Sequence, residues 1–190
     1  MTKTVKRVLL VAIAIAVAAI AATSGTLFAT DYQAPFQALA EERGSDDALP
    51  AAVLSSPVAQ HDLGDPETAR RVGSYSGRTY WLMRGLEDRV CLVSYKAPES
   101  VGAMCPRTQD GGLKSLVASA RPEADGSRTV VVLAPDGYDE LTLREEGGRT
   151  LSVPVVDNVG FVTTNRAAEL SLGGGAAEQL SVSIPRSLFR

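Results

Sequence analysis

The order of apolar and polar positions divides the chain into an apolar head and a long alternating tail. Residues 8–22, VLLVAIAIAVAAIAA, are continuously apolar and follow a basic tip of Lys3, Lys6 and Arg7. From Arg78 the pattern has period two, with Thr79, Trp81 and Met83 on one face and Tyr80, Leu82 and Arg84 on the other. A turn over 85–88 leads into a second strand over 89–95, so the two form a predicted hairpin. The valine-rich 129–134 reads as a buried strand, Pro135-Asp136-Gly137 as a turn, and 140–144 as a strand alternating Leu141 and Leu143 with polar residues. Residues 145–148 turn again. Leu151, Val153 and Val155 then alternate through Pro154, which demands an edge strand or a bulge. Asp157-Asn158 marks a further turn before Phe161 and Val162. Residues 169–172 pair with Leu180, Val182 and Ile184 in a last hairpin whose connection begins at Gly173-Gly174-Gly175.

Helical signals are short. Thr30-Asp31-Tyr32-Gln33 has capping-box form, and Tyr32, Phe36, Leu39 and Ala40 follow at helical spacing, predicting a helix over 31–43. Asp65-Pro66-Glu67 opens a predicted two-turn helix closed by Gly73, and 111–120 reads as another short helix. The expected fold is mainly β: an N-terminal transmembrane or signal helix, short helices, then an antiparallel β-sandwich or open barrel. The expected organisation is a signal-anchor over 1–30, a short helix and linker over 31–64, and an extracytoplasmic β-rich domain over 65–190. The linker reading comes from 44–64, which mixes Pro, Ser, Ala and Asp without periodicity.

Charge sharpens the address. The net charge of -3 is asymmetric, because three of the 19 cations precede the first acid, Asp31, leaving 16 against 22 acids, or -6, for the remainder. Cleaved signals have apolar cores of about 7–15 residues and a membrane span needs about 20. This run reaches the spanning length only by including Thr23, Ser24, Gly25 and Thr26. A retained anchor contacting the lipid bilayer through residues 8–29 is the preferred reading, and secretion after signal-peptide cleavage is the alternative. Cations before the run and acids after it predict a cytoplasmic N-terminus and an extracytoplasmic bulk. Cys91 and Cys105 both fall in the exported part and predict one disulfide. Closing a loop of about 15 residues stabilises a fold by about 3 kcal/mol in the chain-entropy model. A redox pair or metal ligands is the alternative, which lacks a C-x-x-C motif.

Composition withholds most chemistries. His61 is the one histidine, adjoins Asp62 and lies near Ser55 and Ser56, yet it falls in the predicted linker, where a general base is not held rigidly. Gly73-Ser74-Tyr75-Ser76-Gly77 places Tyr75 where a nucleophile elbow needs serine. No zinc motif occurs, and Asp136, Asp139 and Glu140 read as solvated turn acids in preference to a calcium site. Gly173-Gly174-Gly175 reads as a turn and not as a phosphate cradle, because it joins strands instead of opening a helix. An acidic exported part excludes nucleic acid as a partner. No catalytic, cofactor-binding or metal-ligating residue is assigned. Tyr75, Tyr80 and Trp81 are the candidate recognition surface, with core packing the favoured alternative for Trp81.

Tyr80-Trp81-Leu82, Val90-Cys91-Leu92, Met104-Cys105, Ala134-Pro135-Asp136-Gly137-Tyr138 and Val153-Pro154-Val155-Val156-Asp157-Asn158 occur in an order that resembles exported or membrane-anchored small β-domain proteins of GC-rich bacteria. The resemblance covers residues 75–162 and implies a signal or anchor with a small β-rich domain, and no activity. The functional expectation is a membrane-tethered extracytoplasmic domain, not an enzyme, that binds or scaffolds an envelope protein or ligand. A secreted hydrolase and an accessory or regulatory subunit of a membrane complex are the alternatives.

Overall fold

A computed structural model of the chain describes residues 36–98, 100–108, 117–174, 180–184 and 186. It is mainly β, with two sheets, a nearly closed barrel and few short helices. Strands β1 (Arg70–Tyr75), β2 (Arg78–Arg84), β3 (Val90–Lys96) and β4 (Ser100–Met104) form an antiparallel meander. The second sheet holds β5 (Val117–Pro122), β6 (Arg128–Leu133), β7 (Glu140–Glu145), β8 (Thr150–Val156), β9 (Val159–Thr164), β10 (Ala168–Gly173) and β11 (Leu180–Ile184), in the order β11-β10-β7-β8-β9-β6-β5.

Two-residue turns with both central residues left-handed close two hairpins. Ser76 and Gly77 (φ 51° and 70°) join β1 to β2, and Asp157 and Asn158 (φ 49° and 68°) join β8 to β9. This mirror-image turn matches the right-handed twist of the strands it links.

Alternation decides which core each side chain enters. On β2, Tyr80 and Leu82 face the second sheet, while Trp81 and Met83 face away from it. On β6, Val131 and Leu133 meet the first sheet, and Val130 and Val132, with Ala134 just past the strand, enter the interior of the second. Strands buried on both faces need continuous apolar sequence, which explains the valine run. Leu141, Leu143, Leu170 and Leu172 fill that interior from β7 and β10. Ala118 and Ala120 of β5 and Leu180 and Val182 of β11 pack on the same core from the two edges, which makes the barrel nearly closed.

Pro154 satisfies its constraint without lying on an outer strand. β8 pairs with β7 over 150–154, but with β9 only at Val155 and Val156, so Pro154 needs no donor on its open side.

Several expectations are corrected. Residues 44–64 are not a linker: Leu49, Val53 and Leu63 are buried with Ala69, Trp81, Met83, Cys91 and Val93 on the outer face of the first sheet. Two short helices carry this cover, α1 (Ala51–Leu54) and α2 (Pro57–His61). The domain therefore includes part of the stretch expected to precede it, because the outer faces of β2 and β3 are apolar and need covering. The described part of the 31–43 helix is a single 3-10 turn, Gln37–Leu39, that buries Ala38 and Leu39. The two-turn helix expected up to Gly73 stops after Pro66–Thr68, where pairing with β2 takes over, although Asp65 does accept from Glu67 N as a cap. Residues 117–120 belong to β5, not to a helix. The apolar run of 8–22, the capping-box residues 30–33 and residues 111–116 lie outside the described residues. Among the described residues no helix is long and apolar enough to cross a membrane.

Cys91 and Cys105 form a disulfide, with Cα atoms 4.1 Å apart. Its origin is register: Leu92 faces Met104 across β3 and β4, which puts Cys91 opposite Cys105.

Val53 is fully buried and Leu54 is 47% exposed, so one pair of substitutions tests the cover. Val53→Asp should lower unfolding free energy by about 3 kcal/mol or more through a buried unpaired charge, and Leu54→Asp should stay within about 0.5 kcal/mol of the parent in urea unfolding. Equal, small effects would return residues 44–64 to the status of a linker.

Candidate functional site

The residues singled out for recognition do not form one surface. Tyr80 and Trp81 are neighbours on β2 and so point to opposite faces, and both are buried. Tyr80 joins the core between the sheets and Trp81 lies in the cluster formed with α1 and its flanks. Tyr75 is half-buried; its ring stacks on Phe161 at 5.2 Å and its hydroxyl bonds Thr163 Oγ1 at 3.0 Å. Phe161 also meets Tyr80, at 4.8 Å and tilted. The structure therefore brings Tyr75 and Tyr80 together through Phe161 and separates Trp81 from them. The alternating pattern predicts this separation, but the burial of Tyr80 depends on strands eighty residues away in sequence.

Burial pushes the Tyr80 phenol above its usual range, against the opposing pull of Arg78 and Arg121. Trp81 Nε1 is buried without a hydrogen-bond partner among the described residues. An unmade bond of this kind costs about 1–3 kcal/mol.

The residues considered for a serine hydrolase lie on and beside α2. His61 is exposed at the end of α2. Ser56 caps the same helix, donating to Val53 O at 2.6 Å and accepting from Ala59 N at 3.2 Å. Asp62 lies 3.7 Å from Arg89. Of the turn acids, Asp136 accepts from the backbone and Glu140 from Thr142, at 3.2 Å. Among the described residues no three His, Cys, Asp or Glu side chains are grouped to hold a metal. Gly174 has φ +114°, where a Cβ would strike Asp139, so glycine there closes the β10 connection against its neighbour.

A cleft lies where three chain segments meet: the 36–39 turn, the loop after β6, and the β8–β9 turn. Its volume is about 250 Å³, and Gln37, Glu41, Asp136, Tyr138, Asp157 and Asn158 are among its lining residues. Asn158 holds the junction. Its Oδ1 accepts from Ala38 N at 3.1 Å, and its Nδ2 donates to Ala134 O at 3.0 Å and to Asp136 Oδ1 at 2.8 Å. Asp136 Oδ1 also accepts from Gln37 N at 2.7 Å. Asparagine suits the position because it tolerates the left-handed backbone and supplies both a donor and an acceptor.

Two of the stretches behind the sequence resemblance, 134–138 and 153–158, converge here. Sequence reasoning recognised both as turn chemistry and missed the bonds they accept from Gln37 N and Ala38 N, which are 99 and 120 residues distant in the chain. With the carboxylates of Glu41, Asp136 and Asp157 on its walls, the cleft can accept hydrogen bonds from cationic or amide-bearing groups. The chain matches no family model, no curated protein and no solved structure.

Two measurements test these placements. A phenol with a raised folded-state pKa contributes stability that is complete below the unfolded value, about 10, and is lost as pH rises through the folded value. Tyr80→Phe should therefore flatten the alkaline fall in unfolding free energy, and an unaltered fall would assign it to other groups. Asn158→Gly retains the left-handed backbone and removes the side-chain bonds. It should cost about 1–3 kcal/mol in urea unfolding, whereas Asp157→Gly should cost far less.

Proposed function

We propose that this protein is a membrane-tethered extracytoplasmic domain that binds or scaffolds an envelope component and does not turn it over. The observation that carries the address is the Cys91–Cys105 disulfide between β3 and the end of β4. Disulfides persist in oxidising compartments, and a bridge on the far side of a membrane agrees with cations, then an apolar run, then an acidic remainder along the chain. The tether in this reading is residues 8–29. The N-terminus is cytoplasmic and the β-rich remainder is outside.

The polar cleft around Asn158 supports binding. Backbone N–H groups of Gln37 and Ala38 and the Asn158 amide hold its acceptors in place, and its walls carry hydrogen-bonding side chains suited to recognition. Its support for a ligand rests on shape and hydrogen-bonding capacity.

Intact mass of the protein recovered from native membrane and from the medium, non-reduced and after thiol alkylation, tests this reading. The expected result is a full-length chain in the membrane fraction, two hydrogens light and unalkylated. A shortened chain in the medium would overturn the tether in favour of secretion, and alkylation of Cys91 and Cys105 would overturn the oxidising address. Turnover of an envelope substrate that His61→Ala abolishes would replace binding with hydrolysis.

A further inference from the structure

At the other end of the inter-sheet core the charge reverses. Arg78 opens β2 and sends its guanidinium across to β4, donating from Nη1 to Ser100 O and from Nη2 to Ser100 Oγ, both at 2.9 Å. Arg121, on edge strand β5 of the second sheet, reaches the same strand two residues further on. A Cβ on Gly102 would sit within the Arg121 guanidinium, so the missing side chain of Gly102 is the space that this cation occupies. Ser100 and Gly102 share a face of β4 and are spaced about 7 Å apart, two residues at strand rise. Two guanidinium groups thus lie side by side over one strand, each brought there by a different sheet.

The pair is only partly compensated. Among the described residues Arg121 makes no hydrogen bond or ion pair through its guanidinium. Among the described residues Glu123 is the acid whose charge acts on Arg78, and its Oε1 already accepts from Thr129 Oγ1 at 2.6 Å. Lys96 is exposed and pairs with Ser100 across β3 and β4, adding a third cation to this end. Burial first, and the neighbouring Arg121 second, hold the Arg78 guanidinium below its ordinary pKa. A small pocket of about 10 Å³, lined in part by Tyr80, Ser94, Ser119 and Arg121, opens at the same place. It has room for about one water, so any larger group sits at its mouth, against Arg121.

We propose that this seam is a binding site for a phosphate group, held by the open fork of Arg121 with Arg78 as the second cation and Lys96 at the rim. Paired guanidinium groups match a phosphate better than a lone carboxylate, because the planar fork takes two oxygens and the second positive charge answers the remaining negative charge. A cationic seam on a chain whose exported part is otherwise acidic also focuses such an anion on one spot. The inference rests on the reading of this domain as a binding module and names the chemistry of one of its ligands. The phosphate can be a lipid headgroup at the proposed membrane or a soluble phosphate ester.

The test uses the full chain in neutral detergent micelles. Inorganic phosphate is titrated by calorimetry at constant ionic strength, with acetate as the competitor anion. In a second arm the micelles are doped with phosphatidylglycerol or with phosphatidylcholine. The expected result is saturable uptake at one site, weakened about tenfold or more by Arg121→Gln, the loss of a charge-assisted bond. Gly102→Ala should weaken uptake similarly while leaving every charge in place, because it displaces the guanidinium. Arg84→Gln, an exposed cation at the opposite end of β2, should leave uptake unchanged. Uptake of inorganic phosphate assigns the site to soluble esters, and uptake of phosphatidylglycerol alone assigns it to headgroups. Absence of saturable uptake in both arms would overturn the proposal, as would acetate bound as tightly as phosphate or an equal loss in Arg84→Gln. A negative titration on a chain whose mass shows the retained anchor would remove this site and leave the tether standing.

Discussion

The two-sided burial of β6 is the constraint on which the remaining architecture depends. Val131 and Leu133 bind it to the first sheet, and Val130, Val132 and Ala134 bind it to the barrel interior. All five are at most 2% exposed. A strand in that position must be apolar on both faces, and it joins the core between the sheets to the core inside the second. β9 repeats the arrangement beside it, with Val159 and Phe161 toward the first sheet and Val162 inward. β2 and β3 carry the same logic one layer outward. Their outer faces, Trp81, Met83, Cys91 and Val93, recruit α1 and its flanks as a lid.

Three apolar layers leave polar chemistry at the ends. At one end the 36–39 turn is laced to the loop after β6 and the β8–β9 turn by Asn158 and Asp136. Arg71 N donates to Asp47 Oδ1 and Arg70 Nε to Glu41 O, so the segment preceding β1 is also bound along that edge strand. The first of these bonds occupies a backbone donor that an open edge would otherwise offer to another chain. At the other end β4 and β5 bring Arg78 and Arg121 together over Gly102. The two ends therefore differ in sign, acidic at the cleft and basic at the seam. Both proposed binding chemistries follow from that polarity.

The period-two pattern correctly placed the two faces of β2, the hairpins at 157–158 and after β10, and the doubly buried run of β6. These are local signals: alternation, turn residues and continuous valine each act within about ten residues. The same reasoning missed β1, β4 and β5, which are polar or glycine-containing and become strands by pairing with apolar neighbours. It also took 44–64 for a linker, since Leu49, Val53 and Leu63 show no periodicity and acquire their partners from β2 and β3.

By itself, then, the amino-acid sequence determined the β character, the turn positions, the side of each strand on which a residue falls, and a cysteine pair able to meet. Tertiary structure decided whether a face is covered. Tyr80 and Trp81 are recognition aromatics or core according to what packs on them; strands far along the chain made Tyr80 core, and the segment around α1 made Trp81 core. Asn158 became a junction, and Arg78 and Arg121 became neighbours, only when sheets closed. The physical reason is that alternation is written in the backbone's own geometry, whereas burial and charge proximity depend on contacts between segments whose separation in sequence carries no local signal.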